Sequence, residues 1–434
     1  MKILQAYSNY EDYLNGSNFK SLASSFNKYS AMKNKTLITI ILLMSAITNA
    51  QTLQDYLEIA KENSSELKMD NYNYELAKEK VNEVGNNTKT SFNFGYFIQR
   101  PETRVGSQVA MGGIRQQFPW FGTKNTEREM INSSADAWKY DVELSERDLF
   151  YKVKEAYYNL YEKQAITAIL LENKQILMTY ENMALAALEN NKASFSDVSI
   201  IRVQKNELHS TIFQNYNDIE ALSKNFNRLL QRNIDEMISI KDSLNVTDIL
   251  IGNATVDEHP SLFKIDQINE TLTFENDLIG KENTPTIGVG LDYIIVNEIE
   301  NVSVVDNGKD IILPTVSLSI PIFNKDYKSK KNQIKIKQDQ VISEKINQKR
   351  LLEMALEDAL LLFNNSVLSV VAAQKNKEEI QHAININLKA YETGVLDYEN
   401  IVGLQLQKIK YQLMEIEATK MAFIAKATTE YLTN

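Results

Sequence analysis

Apolar residues follow two different periods along this chain. Leu149, Val153, Ala156 and Leu160 step by 4, 3 and 4, and Leu356, Leu360, Phe363, Val367 and Val370 keep the same alternation, which is the seam spacing of a coiled coil. The other faces of these stretches carry Asn, Gln, Lys and Glu. Residues 123–191 and 324–393 contain neither Gly nor Pro, so each predicts a helix of roughly 100 Å at about 1.5 Å per residue.

In two other windows the period falls to two. Phe92, Phe94 and Tyr96 alternate with Ser91, Asn93 and Gly95; Ile287, Val289 and Leu291 alternate with Gly288, Gly290 and Asp292; Val316, Leu318 and Ile320 alternate with Ser317, Ser319 and Pro321. A fourth, less regular run carries Arg115 and Gln117 on one side. These predict strands at about 90–98, 107–118, 285–296 and 312–322, each near the roughly 9 to 11 residues with which a tilted strand crosses a bilayer. The lipid face then consists of Phe92, Phe94, Tyr96, Ile287, Val289, Leu291, Val316, Leu318 and Ile320. Phe118, Trp120, Phe121, Phe323 and Tyr327 at the strand ends suit an interfacial girdle. On strand pattern alone, two half-buried hairpins in a soluble α+β protein satisfy the same alternation.

Composition sharpens this division. Ten of 14 Gly and five of six Pro lie in residues 85–122 and 280–321, so chain breakers mark the strand windows and leave the remainder to long helices. The net charge of -10 disfavours a nucleic-acid partner, which requires clustered Lys and Arg. The absence of cysteine excludes disulfides, thiolate metal sites and a lipidated N-terminal Cys. Lys33 and Lys35, the apolar run Leu37–Met44 and the small residues ending at Ala50 read as a signal peptide over residues 32–50, cleaved after Ala50, with translation starting at Met32 and residues 1–31 carrying no function. Five lysines and two acids precede residue 51, which leaves 42 basic against 55 acidic groups and a net charge of -13. No later run reaches the roughly 20 apolar residues of a membrane helix; a membrane span would therefore be built from strands.

The chain also repeats. Phe118-Pro119-Trp120-Phe121-Gly122 recurs as Ile320-Pro321-Ile322-Phe323-Asn324, and Ala193, Ser196 and Gln204 recur as Gly394, Asp397 and Gln405. Residues 51–240 form a first repeat and residues 257–434 a second, joined by an equatorial connector at 241–256, each reading helix, strand, strand, long helix, tight turn, helix. Four strands leave unpaired edges in lipid, so closure requires further copies. At the turns, Gly394 suits a left-handed residue between two helices, Asp397 caps the following helix, and Ser196 supplies the cap in the first repeat.

Arg104-Val105-Gly106, Gln116-Gln117-Phe118-Pro119-Trp120-Phe121-Gly122-Thr123 and the turn Tyr391-Glu392-Thr393-Gly394-Val395-Leu396-Asp397-Tyr398 resemble the TolC-like outer-membrane efflux family, and within it the copper and heavy-metal branch. The resemblance implies a mainly α fold with a small β-barrel part: a homotrimer in which each chain gives four transmembrane strands to one twelve-stranded barrel and its helices continue as a duct across the periplasm. It implies an exit channel of a tripartite pump in the outer membrane, passing metal ions or small toxic compounds and partnered by a periplasmic adaptor and an inner-membrane pump. Ala193, Ser196, Asp197, Tyr391, Gly394, Val395, Leu396 and Asp397 then form the periplasmic tip that docks the adaptor. Family members often carry acidic residues six and nine places beyond the tip glycine, where Asn400 and Gly403 stand here; Asp397 and Glu399 are the substitute gate. A type I protein secretion channel and a periplasmic coiled-coil scaffold without a pore are the alternatives.

Catalytic patterns are missing from the sequence. His209, His259 and His382 are isolated, and there is neither a nucleophile elbow nor a phosphate loop. Met178 and Met183 at helical spacing read as packing before metal ligation. A passive duct requires no enzyme site, no cofactor and no metal.

Overall fold

The computed structural model describes residues 52–85, 90–190, 194–240, 244–252, 254–322, 324–392 and 398–433, and Thr52–Asn434 forms one compact unit. Ala50 and the signal segment, Phe323, and the tip residues Ala193, Gly394, Val395, Leu396 and Asp397 lie outside the described residues. Two helices open the unit, α1 (Leu53–Asn63) and α2 (Ser65–Glu83), followed by β1 (Ser91–Tyr96), β2 (Glu102–Thr103) and β3 (Gly106–Phe118). Then come α3 (Thr123–Glu189), α4 (Phe195–Leu229), a short 3-10 turn (Val246–Asp248) and α5 (Pro260–Glu282). The chain closes with β4 (Thr286–Asn297), β5 (Ile311–Ser319), α6 (Asp326–Glu392) and α7 (Tyr398–Thr433).

The two uninterrupted stretches form the two longest helices, α3 and α6, with 67 residues each and a length of about 100 Å. Their seams are apolar as the spacing predicts: Leu149, Val153, Leu160, Leu356 and Val370 are buried. Near the sheet the helices are neighbours in the order α2, α3, α5, α6; farther away α4 and α7 take over, with α3 packing on both and α6 on α7. The core accordingly runs as a series of clusters along the helices. Tyr56, Tyr157 and Phe226 fill one, and Leu170, Leu177, Val198, Ile201, Ile401 and Val402 fill another toward the far end. The connector lays Val246 and Ile249 against Val370, Ala418 and Ala422.

All strands are antiparallel, in the order β1-β3-β4-β5, with β2 attached to β3. The sheet thus has five strands among the described residues, because Glu102 and Thr103 pair with Ser107 and Gly106. A two-residue strand is too short to leave a periodic signal. Strand β5 stops at Ser319, so Ile320 lies beyond the strand; Pro321, two residues on, has no N–H with which to continue a ladder. Where β3 meets α3, Gly122 adopts φ +81°, a left-handed turn that favours glycine. At the corresponding place before α6, the Asn324 side chain accepts a hydrogen bond from the Tyr327 N–H at 3.1 Å.

Helix α6 is long and apolar enough by length and composition to cross a membrane, with 22% of its most apolar window buried. It is an amphipathic helix with a second apolar stripe: Leu361 and Leu368 are exposed while Leu356 and Val370 are buried.

Candidate functional site

Near the helices the sheet has two faces of opposite chemistry, set by its register; farther out the second face turns apolar as well, with Met111, Ile294 and Ile311 in one row. Across one face run the rows Phe92, Ile114, Leu291 and Pro314, then Phe94, Gly112, Tyr293 and Ile312, then Phe118, Ile287 and Leu318. These are wet in the isolated chain, Phe94 being 84% and Val316 81% exposed. Such a continuous apolar surface is not what a water-facing sheet carries. Gln116 interrupts it at the helical end, where it contacts the Thr90 hydroxyl at 2.6 Å.

Across the other face run Ser91, Arg115, Gly290 and Thr315, then Asn93, Gly113, Asp292 and Leu313, then Gln117, Gly288 and Ser317. Arg115 donates to both oxygens of Asp292 at 3.3 Å, and the carboxylate side chain is only 5% exposed. Gly113 makes room for it, since a Cβ there would stand 2.0 Å from Asp292 Oδ1. The pair crosses the β3–β4 seam, which joins strands that are 177 residues apart in sequence at this pair. A charge pair at such a seam fixes register as well as polarity, because a one-residue slip of β4 against β3 would turn Asp292 to the face opposite Arg115.

Among the described residues neither outer edge of the sheet is paired: β1 and β5 each have one neighbour. Unpaired edges bordered by an apolar face are unstable in lipid and prone to pairing.

Away from the sheet, buried and half-buried polar contacts tie the helices together. In α3–α4, Glu181 accepts from Arg202 Nε at 2.7 Å and pairs with Lys205; the Lys205 and Arg202 hydrogen bonds hold its carboxyl below the usual range. Asn215 donates to the Lys163 carbonyl at 2.7 Å and also contacts Thr167. A second buried network links α3 to α7, where Gln405 donates to Asn173 at 2.6 Å and Asn173 donates to Gln412 at 3.0 Å. Buried amides satisfied in this way fix the relative positions of helices, because losing one partner strands a polar group. Seam positions on long helices read as apolar or solvated, so these contacts leave no sign in the residue pattern beyond the recurrence of Gln204 as Gln405.

Of the predicted tip residues, the structure brings Asp197 and Tyr391 near each other. Burial raises the Tyr391 hydroxyl above its ordinary value and the Asp197 charge adds to the rise. Ser196 is exposed inside the first turn of α4, and the cap is Ser194. Its Oγ accepts from the Asp197 N–H at 3.2 Å, and Asp197 accepts from the Ser194 N–H at 2.8 Å. The cap lies two residues earlier than expected because Asp197 then stands at the third helical position and closes a capping box. Glu399 is exposed in the first turn of α7. Among the described residues no group of three or more His, Asp or Glu is arranged to hold a metal ion.

Comparison with known proteins supports the fold at long range. No protein-family model and no curated protein sequence matches the chain. Solved structures do. The channel-forming protein CusC is 13% identical with a TM-score of 0.72, covering 89% of this chain and 93% of its own. The outer membrane protein VceC from Vibrio cholerae is 12% identical with a TM-score of 0.68, covering 88% and 95%. The outer-membrane channel OprN is 12% identical with a TM-score of 0.68, covering 88% and 89%. The chain has the fold of these outer-membrane channels: mostly helical, with one small sheet.

Proposed function

We propose that this chain is the outer-membrane exit channel of a tripartite efflux system of the RND type, a passive duct open to metal ions or small toxic compounds. The observation that carries the reading is the sheet, apolar and exposed on one face, polar on the other, with both edges open and running directly into helices about 100 Å long. Pairing β5 of one copy with β1 of the next satisfies both edges. A homotrimer closed this way has a twelve-stranded wall of long strands, lipid outside and Arg115, Gln117, Asp292, Thr315 and Ser317 lining the inside. The likeness to solved outer-membrane channels supports the same location, with the helices projecting into the periplasm. The recurrence of strand pair, long helix and shorter helix in each half supports an internal duplication.

In this reading the ends of the hairpins face the periplasmic adaptor and the inner-membrane pump. Asp197 and Tyr391 shape the docking tip with Gly394, Val395 and Leu396, and Asp397 and Glu399 line the narrowest point. Reconstitution into planar bilayers tests the duct: discrete ion conductance is expected, and a silent membrane overturns the reading. On the same preparations Leu396→Asp is expected to leave conductance intact and abolish efflux-dependent resistance. Normal resistance would reduce the tip to a helix connection.

A further inference from the structure

Where β3 runs into α3, Phe118, Trp120, Phe121, Gly122, Lys124 and Ile287 line a cavity of about 380 Å³. Its apolar wall continues the exposed face of the sheet, because Phe118, Ile287 and Leu318 form the last row of that face before the helices. Phe121 is exposed and stands edge-on to Trp120, with ring centroids 5.8 Å apart. The cavity belongs to the central strands β3 and β4, away from the open edges, so one copy builds it without its neighbours.

The other wall is positive. Helix α3 begins here, and the amides at the start of a long helix carry a partial positive charge. Gly122 at the N-cap has no side chain to accept from them, and the first turn holds no acid. Lys124, in that turn, lines the cavity and donates to the Gly85 carbonyl at 3.2 Å. Lys281, in the last turn of α5, reaches across: a Cβ on Gly122 would stand 2.9 Å from its Nζ. A helix start repels an ammonium held so close. Thr123, between Gly122 and Lys124 in the chain, is 8% exposed, and its Oγ1 is buried with no hydrogen-bond partner. A hydroxyl left in that state is unfavourable unless a ligand answers it. The matching start of α6 is built the opposite way, with Asn324 accepting from the Tyr327 N–H and Asp326 in the first turn.

We propose that this cavity seats an anionic phospholipid from the periplasmic leaflet of the outer membrane. Its phosphate lies at the start of α3 between Lys124 and Lys281, and an acyl chain lies against Phe118, Trp120 and Ile287. This rests on the reading of the sheet as a lipid-facing wall and goes beyond it by assigning a bound ligand. The chemistry selects the occupant. A phosphodiester accepts from first-turn amides, from both ammonium groups and from the Thr123 hydroxyl together. A free phosphate gains nothing from the apolar wall, and a zwitterionic headgroup brings its own ammonium toward the two lysines. Position agrees as well, since the cavity lies at the strand ends, the level at which aromatic residues meet lipid headgroups.

The chain has two tryptophans, so Trp138→Phe leaves Trp120 as the sole reporter beside the cavity. In full-length protein reconstituted into phosphatidylcholine vesicles, brominated phosphatidylglycerol should quench Trp120 at a mole fraction roughly tenfold lower than brominated phosphatidylcholine. Lys124→Gln with Lys281→Gln should remove that preference while ion conductance stays at the wild-type level. Lys325→Gln with Lys328→Gln, at the start of α6, should leave the preference intact. Thr123→Val, which keeps the side-chain size and loses the donor, should weaken it severalfold and supplies a second reading should the lysine variant fail to insert. Equal quenching by the two lipids overturns the proposal, as does a preference that survives the loss of Lys124 and Lys281. An equal loss in the α6 control would reduce the effect to general surface charge and also overturns it. A wild-type preference in Thr123→Val overturns the placement of the phosphate. Recovery of fluorescence on adding millimolar inorganic phosphate, but not chloride at equal ionic strength, would assign the cavity to a free anion and overturn the lipid. Absence of quenching by either lipid would put Trp120 in water and defeat the lipid-wall reading itself, a result distinct from all of these.

Discussion

The sheet and the helical body apply opposite rules to the same residue types. In the body Tyr157, Leu160, Leu177 and Ile201 are fully buried, and the polar residues that enter the core, such as Asn173 and Asn215, are hydrogen-bonded there. In the sheet Phe94, Val289, Leu291, Val316 and Leu318 are exposed while the charged Asp292 is buried. A helix seam that excludes water stabilises the body by the hydrophobic effect. The sheet follows the pattern of strands whose outer surroundings are lipid. The difference teaches that exposure alone does not identify a surface residue's solvent; the neighbours along the same face do.

The sharpest way to break this comparison is to put one charge on each kind of exposed residue. Val316 in the sheet and Leu250 in the connector are 81% and 91% exposed. Val316→Arg, alone or with Leu318→Arg, should abolish outer-membrane assembly, because a charge on a lipid face costs about 2 to 4 kcal/mol near the midplane. Leu250→Arg should stay within about 0.5 kcal/mol of wild type, as for an ordinary wet surface site. Membrane yield of the folded protein measures both. Equal yields would mean that water surrounds both positions.

A second test concerns the body, where burial makes a charge costly. His259 caps α5, its Nδ1 accepting from the Ser261 N–H at 3.3 Å, and its ring is buried against Tyr431. Burial, followed by the nearby Arg147 charge and partly offset by Glu143, lowers its pKa from 6.5 to about 4. The unfolded chain therefore takes up this proton at a higher pH than the folded one. Stability from this group is complete above pH 6.5 and is lost as pH falls through about 4, an effect of up to about 3 kcal/mol. Denaturant melts between these limits should show that slope, and His259→Asn, which keeps an acceptor at the cap, should flatten it. No comparable slope is expected from sheet substitutions.

Much of this division was legible in the sequence because period is a local property. Period two placed Phe92, Val289 and Val316 on one face and Ser91 and Asp292 on the other, and the absence of Gly and Pro marked both 67-residue helices. What stayed hidden depends on distant partners. That Asp292 is buried follows from Gly113 and Arg115 on another strand. Lys337 meets Glu275 on α5, a pairing that no spacing along the sequence shows. Strand β2 has no period to detect, and Ile320 continues an alternation that Pro321 ends.

The smallest test distinguishes two serines at the far end of the body. Ser196 was expected to cap α4 by correspondence with Asp397, whereas Ser194 forms the capping box with Asp197. Capping satisfies amide groups that the first turn of a helix otherwise leaves unpaired. Ser194→Ala removes the acceptor for the Asp197 N–H and should cost about 1 kcal/mol, seen as faster hydrogen exchange in the first turn of α4. Ser196→Ala leaves that bond in place and should exchange at the wild-type rate. Since the sheet shares no contact with this turn, both variants should insert into membranes and conduct normally. A Ser196→Ala variant that frays α4 more than Ser194→Ala would return the cap to the position the repeat suggested.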